Sequence, residues 1–128
     1  MSKRRKRKLQ GTQDGWVYVL DIGYDRLYKI GMSQHLNSRV RALSKANPKL
    51  RIEMAYLVLN VKNVEARLHE KYTDEHYKWE LFTLQPHNLK SIKRLLVEEN
   101  NNFLRSRKLQ RQARLRSQEG KTYAKAET

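Results

Sequence analysis

Two short runs, GWVYVL over residues 15–20 and LYKIG over residues 27–31, flank the hexapeptide DIGYDR and constrain the fold more than any other feature of the chain. Both runs are rich in β-branched, aromatic and aliphatic residues, which suit a pleated, half-buried surface. Asp21, Gly23 and Asp25 between them favour a turn. The three pieces therefore predict an antiparallel hairpin. Side chains alternate across a strand, so Tyr18 falls on the face opposite Val17 and Val19, and Lys29 on the face opposite Tyr28 and Ile30. A phenol and an ammonium thus lie on neighbouring strands, both out of phase with their apolar neighbours.

The remaining elements follow from periodicity and caps. Ser33 is placed to cap a helix running to about Ala46, with Leu36, Val40 and Leu43 at helical spacing. Asn47–Pro48 ends it, because the residue before proline avoids the helical region. RIEMAYLVL, Arg51 to Leu59, reads as a third strand, and Asn60 as the cap of a second helix with Val64, Leu68 and Tyr72 as its buried stripe. WELFTL, Trp79 to Leu84, reads as a strand or extended piece at the sheet edge. From Pro86, which suits a first helical turn, a long helix puts Leu89, Ile92, Leu96 and Phe103 on one face. The expected fold is α/β in content (α+β in order): a small three-stranded, mostly antiparallel sheet flanked by helices, with a long basic C-terminal helix.

Charge divides the chain. Lys and Arg number 28 against 13 Asp and Glu, a formal +15. Residues 1–15 hold six basic and one acidic residue, residues 16–84 eleven and eight, and residues 85–128 eleven and four. A nearly balanced centre with basic ends suits a polyanion, and nucleic acid is the commonest one. The expected organisation is a basic arm over 1–14, a folded domain over 15–84, a helix over 85–118 that turns basic in its second half, and a disordered tail over 119–128. The cations assigned to nucleic-acid contact are Lys3, Arg4, Arg5, Lys6, Arg7 and Lys8 in the arm, and Arg105, Arg107, Lys108, Arg111, Arg114 and Arg116 on the helix. Such contacts are largely sequence-blind and salt-sensitive.

Other classes are excluded or disfavoured. There is no cysteine, hence no disulfide or thiolate metal site. MSKRRKRKLQ is basic but no apolar run follows, unlike a signal peptide. Nothing approaches the ~18 apolar residues of a membrane span, and the basic arm lacks an apolar anchor for a membrane surface. The expectation is a soluble intracellular protein, cytoplasmic or nuclear, with no small-molecule cofactor.

A chemical constellation stands out against this background. Tyr18 and Lys29 share the hairpin, Arg39 lies on the helix that follows it, and Glu65 and His69 are four apart on the second helix and so share a face. Phosphodiester hydrolysis uses such an inventory. A carboxylate can hold Mg²⁺, which takes few protein ligands and keeps several waters. A guanidinium forks onto phosphate oxygens, and a phenol can take the proton of an attacking water. Each residue also has a plainer reading: a strand tyrosine with a wet hydroxyl, a lysine blunting a sheet edge, an arginine on a solvated helix face, a glutamate at a helix start, a core histidine.

VYVL (17–20), YKIG (28–31), Arg39, VEARLH (64–69) and WELF (79–82) together resemble the GIY-YIG nuclease superfamily. They are most similar to the branch, common in phages and seen in fungal meiotic proteins, whose second motif reads K-I-G. The resemblance covers about Gly15 to Leu84. It implies that Tyr18 helps activate water, that Arg39 contacts the scissile phosphate, and that Glu65 anchors a single divalent ion, Mg²⁺ or Mn²⁺. Gly31 matches the closing glycine of the second motif. His69 and Glu80 match positions of the K-I-G branch whose roles are less settled, and Lys29 stands where many members have tyrosine. The implied activity is a metal-dependent endonuclease leaving 3′-hydroxyl and 5′-phosphate ends, on DNA in preference to RNA. The alternative is a non-catalytic nucleic-acid-binding module of the same scaffold within a larger nucleoprotein complex.

Overall fold

The computed structural model describes residues 13–127, with side chains described to residue 118. The arm cations Lys3 to Lys8 lie outside the described residues. The elements are β1 (Gly15–Asp21), β2 (Leu27–Ser33), α1 (Leu36–Ala46), β3 (Arg51–Val58), α2 (Val61–Lys71), a 3₁₀ turn (Thr73–Glu75), β4 (His76–Lys78), β5 (Leu81–Thr83) and α3 (Pro86–Glu127). All strands pair antiparallel in one sheet of order β3-β1-β2-β5-β4.

The hairpin forms as expected, in register Trp16 with Ser33, Tyr18 with Gly31 and Leu20 with Lys29. Its turn is closed by Asp21 Oδ1, which accepts the Gly23 amide at 2.8 Å. Gly23 itself adopts φ 97°, a region glycine enters without steric cost. Pairing with β2 and β3 places β1 at the centre of the first three strands, and Val17, Tyr18, Val19 and Leu20 are all buried.

The sheet has five strands where three were expected. The addition is the β4–β5 hairpin, both strands only three residues long. β5 falls within the Trp79–Leu84 segment expected as a strand or extended piece at the sheet edge and pairs with β2 through Leu27–Thr83, Tyr28–Phe82 and Lys29–Leu81, but β4 takes the edge outside it. Its turn passes through Trp79 at φ 52°, a left-handed conformation unusual for a bulky residue. HYKWELFT carries no Gly, Asn or Pro turn signal, so this hairpin has no local signature.

The helix starts also differ in detail. Ser33 ends β2, and its Oγ accepts the His35 amide at 2.9 Å, so α1 begins at Leu36 and not at a Ser33 cap. Asn60 does precede α2, but in left-handed geometry (φ 50°) without a side-chain cap bond. The core lies on one face of the sheet, where Val17, Val19, Ile30, Val58 and Phe82 pack against Val61, Val64, Leu68 and Tyr72 and against Ile92 and Leu96 of α3. The first half of α3 is thus part of the folded unit. Asn100 Nδ2 ties it to the Leu57 carbonyl at 2.8 Å, and Arg67 of α2 to its Glu99 at 3.3 Å. The opposite face, with Trp16, Tyr18, Lys29 and Gly31, is covered more thinly by α1, none of whose residues is fully buried.

The long helix has 42 residues, hence a length of ~63 Å. Its apolar stripe ends at buried Phe103; Leu104, Leu109 and Leu115 are exposed. The helical backbone continues to Glu127, through the tail expected to be disordered from residue 119.

Candidate active site

Tyr18 is built into the site by its cross-strand partner. Its phenol ring lies over Gly31: a Cβ there would sit 2.6 Å from the phenol oxygen and 2.7 Å from two ring carbons. A side chain at position 31 would displace the ring. Tyr18 is therefore no strand tyrosine with a wet hydroxyl; the whole residue is 1% exposed. Its hydroxyl accepts a long hydrogen bond, 3.5 Å, from Nε of Arg39 on α1. That bond raises the guanidinium above its usual value; partial desolvation opposes the shift, and nearby Glu80 adds to it.

Lys29 does not blunt a sheet edge, since β2 lies between β1 and β5. Its ammonium bonds Glu80 Oε1 at 2.5 Å, with the lysine 16% and the glutamate 41% exposed. Glu80 follows Trp79 in the β4–β5 turn, and its carbonyl accepts the Ile30 amide at 3.0 Å. The left-handed Trp79 thus aims Glu80 back across β2. Fifty-one residues separate the ion pair's partners.

Glu65 and His69 extend the cluster from α2. Pairing of β2 with β5 ends at Lys29, which leaves the Ile30 carbonyl on an open stretch of strand edge. His69 Nε2 closes it at 2.9 Å. A carbonyl only accepts, so Nε2 carries the proton. The imidazole also packs edge-on against Phe82, ring centroids 4.9 Å apart, and its Nε2 is 3.7 Å from Glu65 Oε2. Burial is the main cause that pushes the Glu65 carboxyl above the usual carboxylate range; Glu80 pushes the same way, while His69 and Lys29 oppose.

Tyr18, Lys29, Arg39, Glu65 and His69 therefore converge, with Glu80 as the connection between the β2, α1 and α2 contributions. Glu80 reaches the cluster through the β4–β5 turn, from 51 residues beyond Lys29. Among the described residues no group of three or more His, Asp or Glu is arranged to hold a metal ion. The described cations assigned to nucleic-acid contact are elsewhere: Arg105, Arg107, Lys108, Arg111, Arg114 and Arg116 are all exposed on α3. At ~100° per residue they cover an arc of about 200°, while Asn102, Ser106, Gln110, Ala113 and Ser117 occupy the other side. Among the described residues no helix is long and apolar enough to cross a membrane.

The T5orf172 domain family matches residues 15–97, from the start of β1 into the core-packed half of α3. No curated protein and no solved structure matches the chain.

Proposed function

The chain belongs to the T5orf172 domain family, a domain found in nuclease-related proteins, and from that premise we propose that it is a metal-dependent endonuclease of GIY-YIG type acting on DNA. The observation that carries this reading is the contact of Arg39 with the Tyr18 hydroxyl, with Glu80 acting electrostatically both on that guanidinium and on the half-buried carboxylate of Glu65.

Arg39 is exposed enough to meet a phosphate and is held fully charged by its neighbours, so it binds non-bridging oxygens and stabilises charge as it develops. Tyr18, fixed over Gly31, presents its oxygen at the same place and, as the phenolate after releasing its own proton to solvent, takes the proton of the attacking water. Water attacks phosphorus, the bond to the 3′ oxygen breaks as that oxygen takes a proton from solvent, and the products are a 3′-hydroxyl and a 5′-phosphate. Lys29 and Glu80 set the local field as a pair, and His69 is a positioning residue whose proton holds the strand edge. Glu65 fits a divalent ion: it is a hard oxygen donor, desolvated and short of countercharge. One carboxylate suffices for Mg²⁺, which keeps several waters and would supply Lewis-acid charge to the phosphate.

The test is plasmid nicking with Mg²⁺ or Mn²⁺ beside Glu65→Ala and Arg39→Ala. Cleavage lost in either variant with DNA binding retained supports the enzyme. The exposed cations of α3 favour a second reading, a non-catalytic DNA- or RNA-binding module, and binding without cleavage under either metal would establish it in place of the first.

A further inference from the structure

A concavity of about 450 Å³ opens beside the Tyr18–Arg39 contact, lined by Trp16, Gln34, His35, Leu36, Asn37 and Ser38. None of the residues implicated in hydrolysis lines it. Trp16 stands two positions before Tyr18 on β1, so both side chains leave the same face of the sheet. Leu36 and Arg39 are three apart on α1, so the hollow and the guanidinium are neighbours on one helix face. We propose that this hollow is a subsite for an unpaired nucleotide adjoining the bond that is cut, an inference that rests on the endonuclease reading for its place beside the scissile phosphate.

The lining has the chemistry for it. Trp16 is half-buried, which fixes its indole while leaving surface for a base to stack on. Asn37 offers both donor and acceptor atoms to a base edge. Gln34 donates its amide to the Asp14 carbonyl at 3.2 Å, which orients its own carbonyl as an acceptor. No carboxylate lines the hollow, and the first turn of α1 holds no acidic residue and no side-chain cap bond. A phosphate entering with the base therefore meets no like charge, and the helix end favours it. A base inside a duplex is covered on both faces by its neighbours and cannot stack on an indole. The nucleotide must be single-stranded or splayed out. The favoured substrate is thus nucleic acid with an opened position, such as a flap, bulge or junction, in preference to intact duplex.

Trp79→Phe removes the other indole and leaves Trp16 as the fluorescent reporter. In this background a thymidine oligonucleotide should quench Trp16, and an abasic deoxyribose-phosphate oligomer of equal length should not. Trp16→Ala should weaken oligonucleotide binding by about tenfold, with Trp16→Phe restoring most of it. Asn37→Asp, a change the helix end favours, should also weaken binding while leaving the far-ultraviolet spectrum intact. It remains informative if Trp16→Ala fails to fold. Equal quenching by the abasic oligomer or by blunt duplex, or unaltered affinity in Trp16→Ala or in Asn37→Asp, overturns the subsite. None of these readouts needs hydrolysis: quenching without nicking removes the enzyme and keeps a nucleotide site, whereas nicking with unaltered affinity in the variants does the reverse.

Discussion

The protein carries cations in two settings. At the sheet, Lys29 and Arg39 touch Glu80 and Tyr18 and sit among partly desolvated groups, and Lys29 acts on the neighbouring Glu65 carboxyl. On the second half of α3, Arg105 to Arg116 stand in solvent on a helix that has left its core. The residue types are similar; the dielectric and the packing are not. In the first setting a charge acts through distance and angle, so one misplaced atom matters. In the second it acts through the summed field, which salt screens and single substitutions barely change.

The sharpest way to break the comparison is Gly31→Ala. Its methyl group would collide with the Tyr18 phenol, so we expect a loss of roughly 1–3 kcal/mol in stability and loss of nicking. Denaturant titration and the plasmid assay check both, and a fully stable, active variant would show that the ring need not lie over the strand. No single change among the exposed cations of α3 should approach this.

A smaller effect is expected from Arg111→Gln combined with Arg114→Gln. DNA affinity should fall several-fold, and the slope of log affinity against log salt should shrink by roughly 2 if both contact phosphates. Cleavage of bound substrate should be unchanged. An unaltered salt slope removes this part of α3 from the interface.

Glu65→Gln sharpens the contrast through pH. The folded carboxyl titrates above its unfolded value, so the folded state holds the extra proton, and stability falls as pH rises from the unfolded to the folded pKa. Glutamine removes that loss. Melting temperature at neutral pH should therefore rise by a few degrees, with the gain shrinking below the unfolded carboxylate pKa while activity disappears. The smallest effect belongs to Glu80→Gln. Removing a charge that raises Glu65 and releasing Lys29 both favour the Glu65 anion. The acid limb of the nicking profile should move to lower pH, by a fraction of a unit; movement to higher pH would contradict the assigned field.

Much of this was legible along the chain. The β1–β2 hairpin follows from alternation and an Asp–Gly turn, and the α2 stripe of Val64, Leu68 and Tyr72 from helical spacing. Tyr18, Arg39 and Glu65 were identifiable as residue types at motif spacing. The β4–β5 hairpin was not, because its turn uses Trp79 at a positive φ that no composition signals. Nor was the α1 start, because Ser33 was taken up by a strand end before it could cap.

What the amino-acid order determined by itself are the features set by neighbours two to four residues apart: strand alternation, helix faces, and the uneven placement of charge. Tertiary structure alone decided that Lys29 is paired with Glu80, that His69 closes the edge of β2 at Ile30, and that Gly31 makes room for a ring from the next strand. Those contacts join groups distant along the chain. Their energies depend on burial and strand register, which exist only once the sheet and its helices have packed.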